Sequence, residues 1–233
     1  MFRSFLLRFP WLYELVQRLR DYRYHSVADK KGSFAQHGED KILLDLLNSS
    51  NSRGPYVDVG CNHPVKLSNT FLLYKNGYRG LCIDPLPRFA PLFKRWRPKD
   101  KLVRSAVGVS ESEMPLFEFE ADVLSTLDSD LATRYRAAGK KMLRIAKTPV
   151  RRLDSILEEN SVDVPISLLS IDIEGFELAA LQSIDLERWK PTLICLEVVT
   201  ADGKHDHAPT DYLLARGYMI KMDLGLNIIF KRG

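Results

Sequence analysis

The sequence predicts an α/β fold: a mostly parallel seven-stranded sheet closed by a C-terminal antiparallel hairpin. Three observations predict it. Short apolar runs recur with helix-period stretches between them, the arrangement that builds parallel sheets. Some of these runs are apolar almost throughout, as strands covered on both faces are. The last two are separated only by a turn around Asp223 to Gly225, which breaks the strand and helix rhythm.

Taken in order, Tyr56 to Val59 is a short strand ending in Gly60, and Gly80 to Ile83 a second ending in Asp84, with a helix from about Asn69 to Asn76 between them. Leu102 to Val109 is expected as a third strand. Ile166 to Ile173 and Leu193 to Val199 follow as buried strands, joined by a helix around Glu177 to Ile184. Tyr218 to Met222 and Asn227 to Phe230 form the closing hairpin. With 233 residues, 45% of them hydrophobic and 27% charged, the chain has material for one sizeable core, which excludes disordered, collagenous and disulfide-scaffold classes. Cys61, Cys82 and Cys195 all lie in apolar runs and are expected as free buried thiols of a reducing compartment. No stretch approaches the ~20 apolar residues of a membrane span, and Arg8 and Pro10 interrupt the apolar N-terminus, so a cytoplasmic protein is expected.

The chain divides into an N-terminal extension, residues 1–32, and one domain, residues 33–233. Residues 1–31 carry seven basic and three acidic side chains and the rest of the chain 27 of each, so the net charge of +4 belongs to the extension. Its Phe2, Phe5, Phe9, Trp11, Tyr13, Tyr22 and Tyr24 beside those cations suit peripheral contact with an anionic membrane, at the inner face in a cytoplasmic protein. Pro10 is well placed to start a helix, however, and Trp11, Leu12, Leu15, Val16, Leu19 and Tyr22 recur at helical spacing. That stripe favours packing on the domain or on a second copy in a homodimer. A second basic run, from Leu131 to Leu153, has eight cations and no carboxylate. It is either a solvated helix face or a field that draws an anionic partner.

In open α/β sheets ligands bind beyond the carboxyl ends of the strands, and here those ends are polar. The first is Asp58-Val59-Gly60-Cys61-Asn62, the second Asp84-Pro85, the fourth Asp172-Ile173-Glu174-Gly175. Asp84 stands 24 residues after Gly60, close to the distance at which a carboxylate accepts hydrogen bonds from ribose hydroxyls. A pyrophosphate-binding turn needs G-x-G-x-x-G, whereas Gly60 is followed by Asn62 and Pro64, and Asp58 would repel phosphate. S-adenosyl-L-methionine, which has a ribose and an amino acid but no phosphate, fits better.

These motifs, with Ser33-Phe34-Ala35-Gln36-His37-Gly38-Glu39-Asp40, Ser68-Asn69-Thr70, Gly77-Tyr78-Arg79-Gly80, Ala106-Val107-Gly108, Leu153-Asp154-Ser155-Ile156 and Ser170-Ile171-Asp172-Ile173-Glu174-Gly175-Phe176-Glu177 followed by Glu197, run in order from about residue 33 to 200. In them the sequence resembles the FkbM family of S-adenosylmethionine-dependent methyltransferases. The resemblance implies a Rossmann-like class I methyltransferase fold and O-methylation, commonly of a sugar hydroxyl in a glycan, glycolipid or natural product. The cofactor set expected is Asp58, Gly60, Cys61, Asn62, Asp84, Pro85, Ser105, Ala106 and Asp172. The Asn62-His63-Pro64 loop departs from the family's commoner form, in which a small residue and glycine follow the asparagine.

An alcohol is a poor nucleophile near neutrality and calls for a base or a Lewis-acidic metal. Glu174 is the expected base and Asp172 a positioning carboxylate, both at the end of the fourth strand; a solvated strand end with Glu174 capping the next helix is the competing role. His205, with His207 in the loop after the fifth strand, is a second candidate base; the pair could also ligate a divalent metal with Asp172 or Glu197. A polar surface loop would explain both histidines as well. His37 and Glu39 are expected to organise the helix that carries Ile42, Leu43, Leu46 and Leu47. The expected partner is a small or carbohydrate acceptor, anionic or lipid-linked if the basic segments recruit it. An RNA or protein methyltransferase and a non-catalytic cofactor-binding assembly module are the alternatives. Nucleic acid is disfavoured because Tyr135 is the lone aromatic in the second basic run, which gives bases no stacking platform.

Overall fold

The computed structural model describes residues 10–199 and 205–233. The aromatic and basic residues up to Phe9, and Gly203 and Lys204 of the histidine loop, lie outside the described residues. So do the side chains of the stripe from Trp11 to Val16.

Helix α1 (Pro10–Lys31) begins at the proline, whose missing N–H and fixed φ suit a first helical position. Helix α2 (Glu39–Ser49) follows a left-handed Gly38. Asp40 organises this entry by accepting from the Ser33 hydroxyl and the Phe34 N–H, both at 2.6 Å, while Glu39 accepts from the His37 N–H at 2.8 Å. The core sheet then alternates: β1 (Tyr56–Val59), α3 (Phe71–Lys75), β2 (Gly80–Ile83), α4 (Ala90–Trp96) and β3 (Lys101–Val103). An inserted unit comprises β4 (Ala106–Val107), β5 (Ser112–Phe119), α5 (Ser129–Ala137) and β6 (Met142–Arg151). Helix α6 (Leu153–Glu159), β7 (Leu168–Ile171), α7 (Glu177–Gln182), α8 (Leu186–Trp189), β8 (Leu193–Glu197), α9 (Ala208–Leu214), β9 (Tyr218–Asp223) and β10 (Asn227–Arg232) complete the chain.

The seven-stranded sheet runs β3-β2-β1-β7-β8-β10-β9, parallel except for β10, which is antiparallel to both its neighbours. This is the Rossmann-like class I methyltransferase sheet. Period-two alternation sends Val57, Val59, Leu81, Ile83, Leu169 and Ile171 to one face, against α6, α7 and α8. Tyr56, Cys82, Leu168 and Cys195 go to the other, against α2 and α4. The three cysteines are buried and free. Val59 pairs with Ile83 on one side and Ile171 on the other, and Ile171 pairs with Leu196. The residues that follow, Asp84, Gly60, Asp172 and Glu197, therefore emerge in one row at the carboxyl edge, where the strand order reverses between β1 and β7.

Two expectations need correction. The run Leu102 to Val109 is not one strand: β3 ends at Val103, and β4 belongs to a second sheet, β4-β6-β5. The break is at Arg104-Ser105, where the buried Ser105 hydroxyl donates to the Ala106 and Pro149 carbonyls and turns the chain toward β6. The basic run is not simply a helix face either; α5 takes its first part and strand β6 most of the rest.

The C-terminal half of α1 packs on the domain. Ala28 is buried with Phe34, Val65 and Phe71, and His25 stacks on Trp96 with ring centroids 5.1 Å apart. The buried Asp21 meets Lys66 at 2.5 Å and His63 Nε2 at 3.5 Å. Leu19 remains exposed. No helix among the described residues is long and apolar enough to cross a membrane.

Candidate functional site

A cleft of about 360 Å3 opens over the carboxyl edge of the sheet. Its lining includes every cofactor residue expected from sequence: Asp58, Gly60, Cys61, Asn62, Asp84, Pro85, Ser105, Ala106 and Asp172. Glu174 and Glu197 line it too, as do Leu116 and the stretch Ser125–Leu127 of the inserted unit.

Gly60 is required at the first turn. It takes φ +79°, and a Cβ there would sit 1.8 Å from the Asp172 carbonyl oxygen, so only glycine lets β1 and β7 end side by side. Asn62 follows with φ +46°, a conformation its residue type tolerates. Its N–H donates to Asp84 Oδ2 at 2.9 Å, and the Leu86 N–H donates to Asp84 Oδ1 at 2.8 Å. Each oxygen of a carboxylate can accept two hydrogen bonds, so each keeps one place for a ligand hydroxyl. Burial pushes the Asp84 carboxyl up to about 7, against the pull of those two N–H groups. The next residue, His63, accepts the Val65 and Lys66 N–H groups at Nδ1, both at 3.1 Å, which leaves its Nε2 proton facing Asp21 of α1. A helix outside the predicted domain thereby braces the loop that lines the cleft.

Asp58 is tied down from behind. It accepts from the Thr70 hydroxyl and lies 3.9 Å from Arg97, a wholly buried arginine. Burial raises the Asp58 carboxyl, while Arg97 and Thr70 draw it down. Arg97 also donates to Asp100 at 2.7 Å, to the Tyr56 hydroxyl at 2.9 Å and to the Thr70 hydroxyl at 3.0 Å.

At the end of β7 three carboxylates converge: oxygens of Asp172, Glu174 and Glu197 all lie within 4.8 Å of one another. Asp172 is open to the cleft and enclosed by protein elsewhere, and burial raises its pKa. Burial and the Asp172 charge raise Glu197 as well. Glu174 sits at φ +54°, held by the Thr126 hydroxyl on its carbonyl at 3.2 Å and by the Tyr135 hydroxyl on Oε2 at 2.9 Å. Burial, then the Asp172 charge, pushes it up to about 7 although Tyr135 opposes them. No side chain caps the start of α7; Glu177 instead clamps the turn before it, its carboxylate accepting the Ile173 and Gly175 N–H groups at 3.0–3.2 Å, and Glu174 is left to the cleft.

His205 is exposed, bridges to Val199 and does not line the cleft; its ring stacks on His207 at 6.2 Å. Neither histidine belongs to the carboxylate cluster, an all-oxygen set of the type that holds hard cations such as Mg2+. Sequence reasoning missed Arg97 and the role of Tyr135.

The cleft suits a cationic ligand with a ribose. Besides Asp58 and Asp84 it offers Asp172 and Glu174, against Lys66, which Asp21 engages. S-adenosylmethionine carries a sulfonium and an ammonium, and no group of it needs the glycine-rich loop this chain lacks. Fold and site together define an S-adenosylmethionine-dependent methyltransferase.

The methyltransferase FkbM domain profile matches residues 58–220, and the chain belongs to that family. No curated protein matches it significantly. Among solved structures it is similar to a TehB-like SAM-dependent methyltransferase from Corynebacterium glutamicum, at 14% identity and a TM-score of 0.46 over 95% of this chain and 97% of that one. It is also similar to the 1,6-didemethyltoxoflavin-N1-methyltransferase of Burkholderia thailandensis, solved with 1,6-didemethyltoxoflavin and S-adenosylhomocysteine, at 13% identity and a TM-score of 0.42 over 96% and 90%. A duf574 family protein from Streptomyces avermitilis gives 10% identity and a TM-score of 0.42 over 90% and 84%.

Proposed function

We propose that the chain is an O-methyltransferase that methylates a hydroxyl of a sugar, glycan or glycolipid, with Glu174 as the general base. One observation carries the proposal: a carboxylate raised to about 7 stands on the cofactor cleft, hydrogen-bonded on one oxygen to Tyr135. An alcohol must lose its proton as it attacks, and a base with a pKa near the working pH does this best. The cofactor, when bound, supplies an already activated methyl group. What remains for the chain is to align the acceptor and remove its proton. Asp84 would hold the ribose hydroxyls, with Gly60, Cys61, Asn62 and Pro85 shaping the turns around them. Ser105 and Ala106 would wall the adenine. Asp172 and Asp58 would face the positive end of the cofactor.

Label transfer tests the function. With S-adenosylmethionine labelled on the methyl group and fractionated glycan, lipid and RNA extracts, label should enter a carbohydrate-containing fraction as an ether stable to alkali. Transfer only to protein or RNA would overturn it. The cofactor assignment has its own test in calorimetry of S-adenosylhomocysteine. Two hydrogen bonds to a charged acceptor are at stake, so Asp84→Asn should weaken binding roughly 10- to 100-fold. Wild-type affinity should fall as the pH drops below about 7, because protonating Asp84 takes away an acceptor, and the variant should lose that slope.

A further inference from the structure

Helix α1 reaches the cofactor cleft through one carboxylate. Asp21, buried on α1, meets the Lys66 ammonium at 2.5 Å and faces His63 Nε2 at 3.5 Å. Almost one helical turn on, the Tyr24 hydroxyl accepts the Leu67 N–H at 3.2 Å and donates to the Phe34 carbonyl at 3.3 Å. Leu67 sits at φ +53°, a left-handed conformation that costs an ordinary side chain energy, and the Tyr24 contact holds it there. Both Lys66 and Leu67 line the cleft. Asp21 and Tyr24 lie outside residues 58–220, the span of the family profile.

Docking α1 does not need the buried ion pair. Ala28 and the stack of His25 on Trp96 supply apolar contact, and Asp29 pairs with Lys75 nearer the surface. A buried pair adds little to that, because desolvating two charges costs about as much as their attraction gains. Burial would raise the Asp21 carboxyl, yet His63 and Lys66 hold it below its usual value, so it stays ionised opposite the ammonium. The place of Lys66 gives the pair a different use. Among the described residues that line the cleft it is the single cation, on a flexible four-carbon stem, in company with the carboxyl groups of Asp58, Asp84, Asp172 and Glu174. An ammonium left free there would be drawn to them and would stand where the positive groups of the cofactor belong.

We infer that Asp21 is a positioning residue of the cofactor site: by holding the Lys66 ammonium against α1, it keeps the lone cation of the cleft from competing with S-adenosylmethionine. Helix α1 is thereby part of the site. The competition is between charges, so it bears on the sulfonium and ammonium of the cofactor and not on its ribose or adenine. The inference concerns the methyl donor alone and is independent of which acceptor is methylated.

Calorimetry with S-adenosylmethionine and 5′-methylthioadenosine tests it, because the second has the adenine and ribose but neither a sulfonium nor an amino acid. Asp21→Asn, which keeps the size of the side chain, should weaken S-adenosylmethionine about tenfold or more and leave 5′-methylthioadenosine within about twofold. Adding Lys66→Met to that variant should restore S-adenosylmethionine, since the competing charge is gone. Asp21→Glu, which keeps the carboxylate, should bind it close to wild type. Lys66→Met alone should bind it at least as tightly as wild type, and this arm can be read even if Asp21→Asn does not fold. A purely structural Asp21 would weaken both ligands together with no recovery on adding Lys66→Met, and that pattern overturns the inference. So does an Asp21→Asn variant that binds S-adenosylmethionine like wild type. Weaker binding in Lys66→Met overturns it too, and would make Lys66 a ligand of the cofactor carboxylate rather than a competitor.

Discussion

Arg97→Met is expected to lower the stability of the protein by about 3–5 kcal/mol, the range for breaking a buried ion pair from one side. Methionine is apolar and of similar reach, so the loss is one of charge and hydrogen bonds rather than of volume. Burial alone would favour loss of the guanidinium proton, but Tyr56, Asp100 and Asp58 around it hold the group charged. In the variant Asp100 and Asp58 would remain buried without their cation, and the Tyr56 and Thr70 hydroxyls would lose a donor. Arg97→Lys should recover little, because one ammonium cannot span partners on Asp100, Tyr56 and Thr70 together. Urea denaturation reads the result: the midpoint should fall with an unchanged slope. A second consequence separates this network from ordinary core packing. Ser68, 3.5 Å from Arg97, and Asn69 line the cleft, so affinity for S-adenosylhomocysteine should fall as well. A loss of stability below about 1 kcal/mol, the scale of a surface pair, would show that the network does not carry the end of β1.

The residues legible in the sequence are those whose role is set by near neighbours along the chain. Strand β1 was readable to the residue because Tyr56-Val57-Asp58-Val59 runs into a glycine that must turn, and β2 because it runs into Asp84-Pro85. Asp84 could be found by its distance from Gly60 alone. Arg97 could not: it sits in an Arg-Trp-Arg-Pro-Lys-Asp stretch that reads as surface, and its partners Thr70 and Tyr56 lie 27 and 41 residues away. Tyr135 stands out in the sequence as the single aromatic of a basic run, yet its use depends on Glu174, 39 residues on. Glu174 and Glu177 illustrate a finer limit. Both are acidic residues at the start of a helix, and only the left-handed turn at Glu174 and Gly175 decides that Glu177 clamps the backbone while Glu174 faces the cleft. The second sheet escaped for the same reason as Arg97, since Ala106 pairs with Val150 across the whole inserted unit.

Glu174→Gln should lower kcat by about 10²–10⁴-fold, the usual contribution of a positioned base, while leaving cofactor affinity near wild type. Glutamine keeps an oxygen to accept the Tyr135 hydroxyl, so the geometry of the site is retained and only the proton acceptor is removed. The pH profile gives the sharper test. The base works when ionised, so with the acceptor identified by label transfer the wild-type kcat should rise with pH and level off above about 7, and the variant should show no such step. Two neighbours should shift the step in opposite directions. The Asp172 charge raises Glu174, so Asp172→Asn should move the midpoint down; the Tyr135 hydroxyl stabilises the ionised form, so Tyr135→Phe should move it up. Loss of a generic structural contact would reduce activity in all three variants without this pattern. If Glu174→Gln keeps more than about a tenth of the wild-type kcat, or if Asp172→Asn and Tyr135→Phe shift the midpoint the same way, the proton leaves the acceptor by another route and Glu174 is only a wall of the cleft.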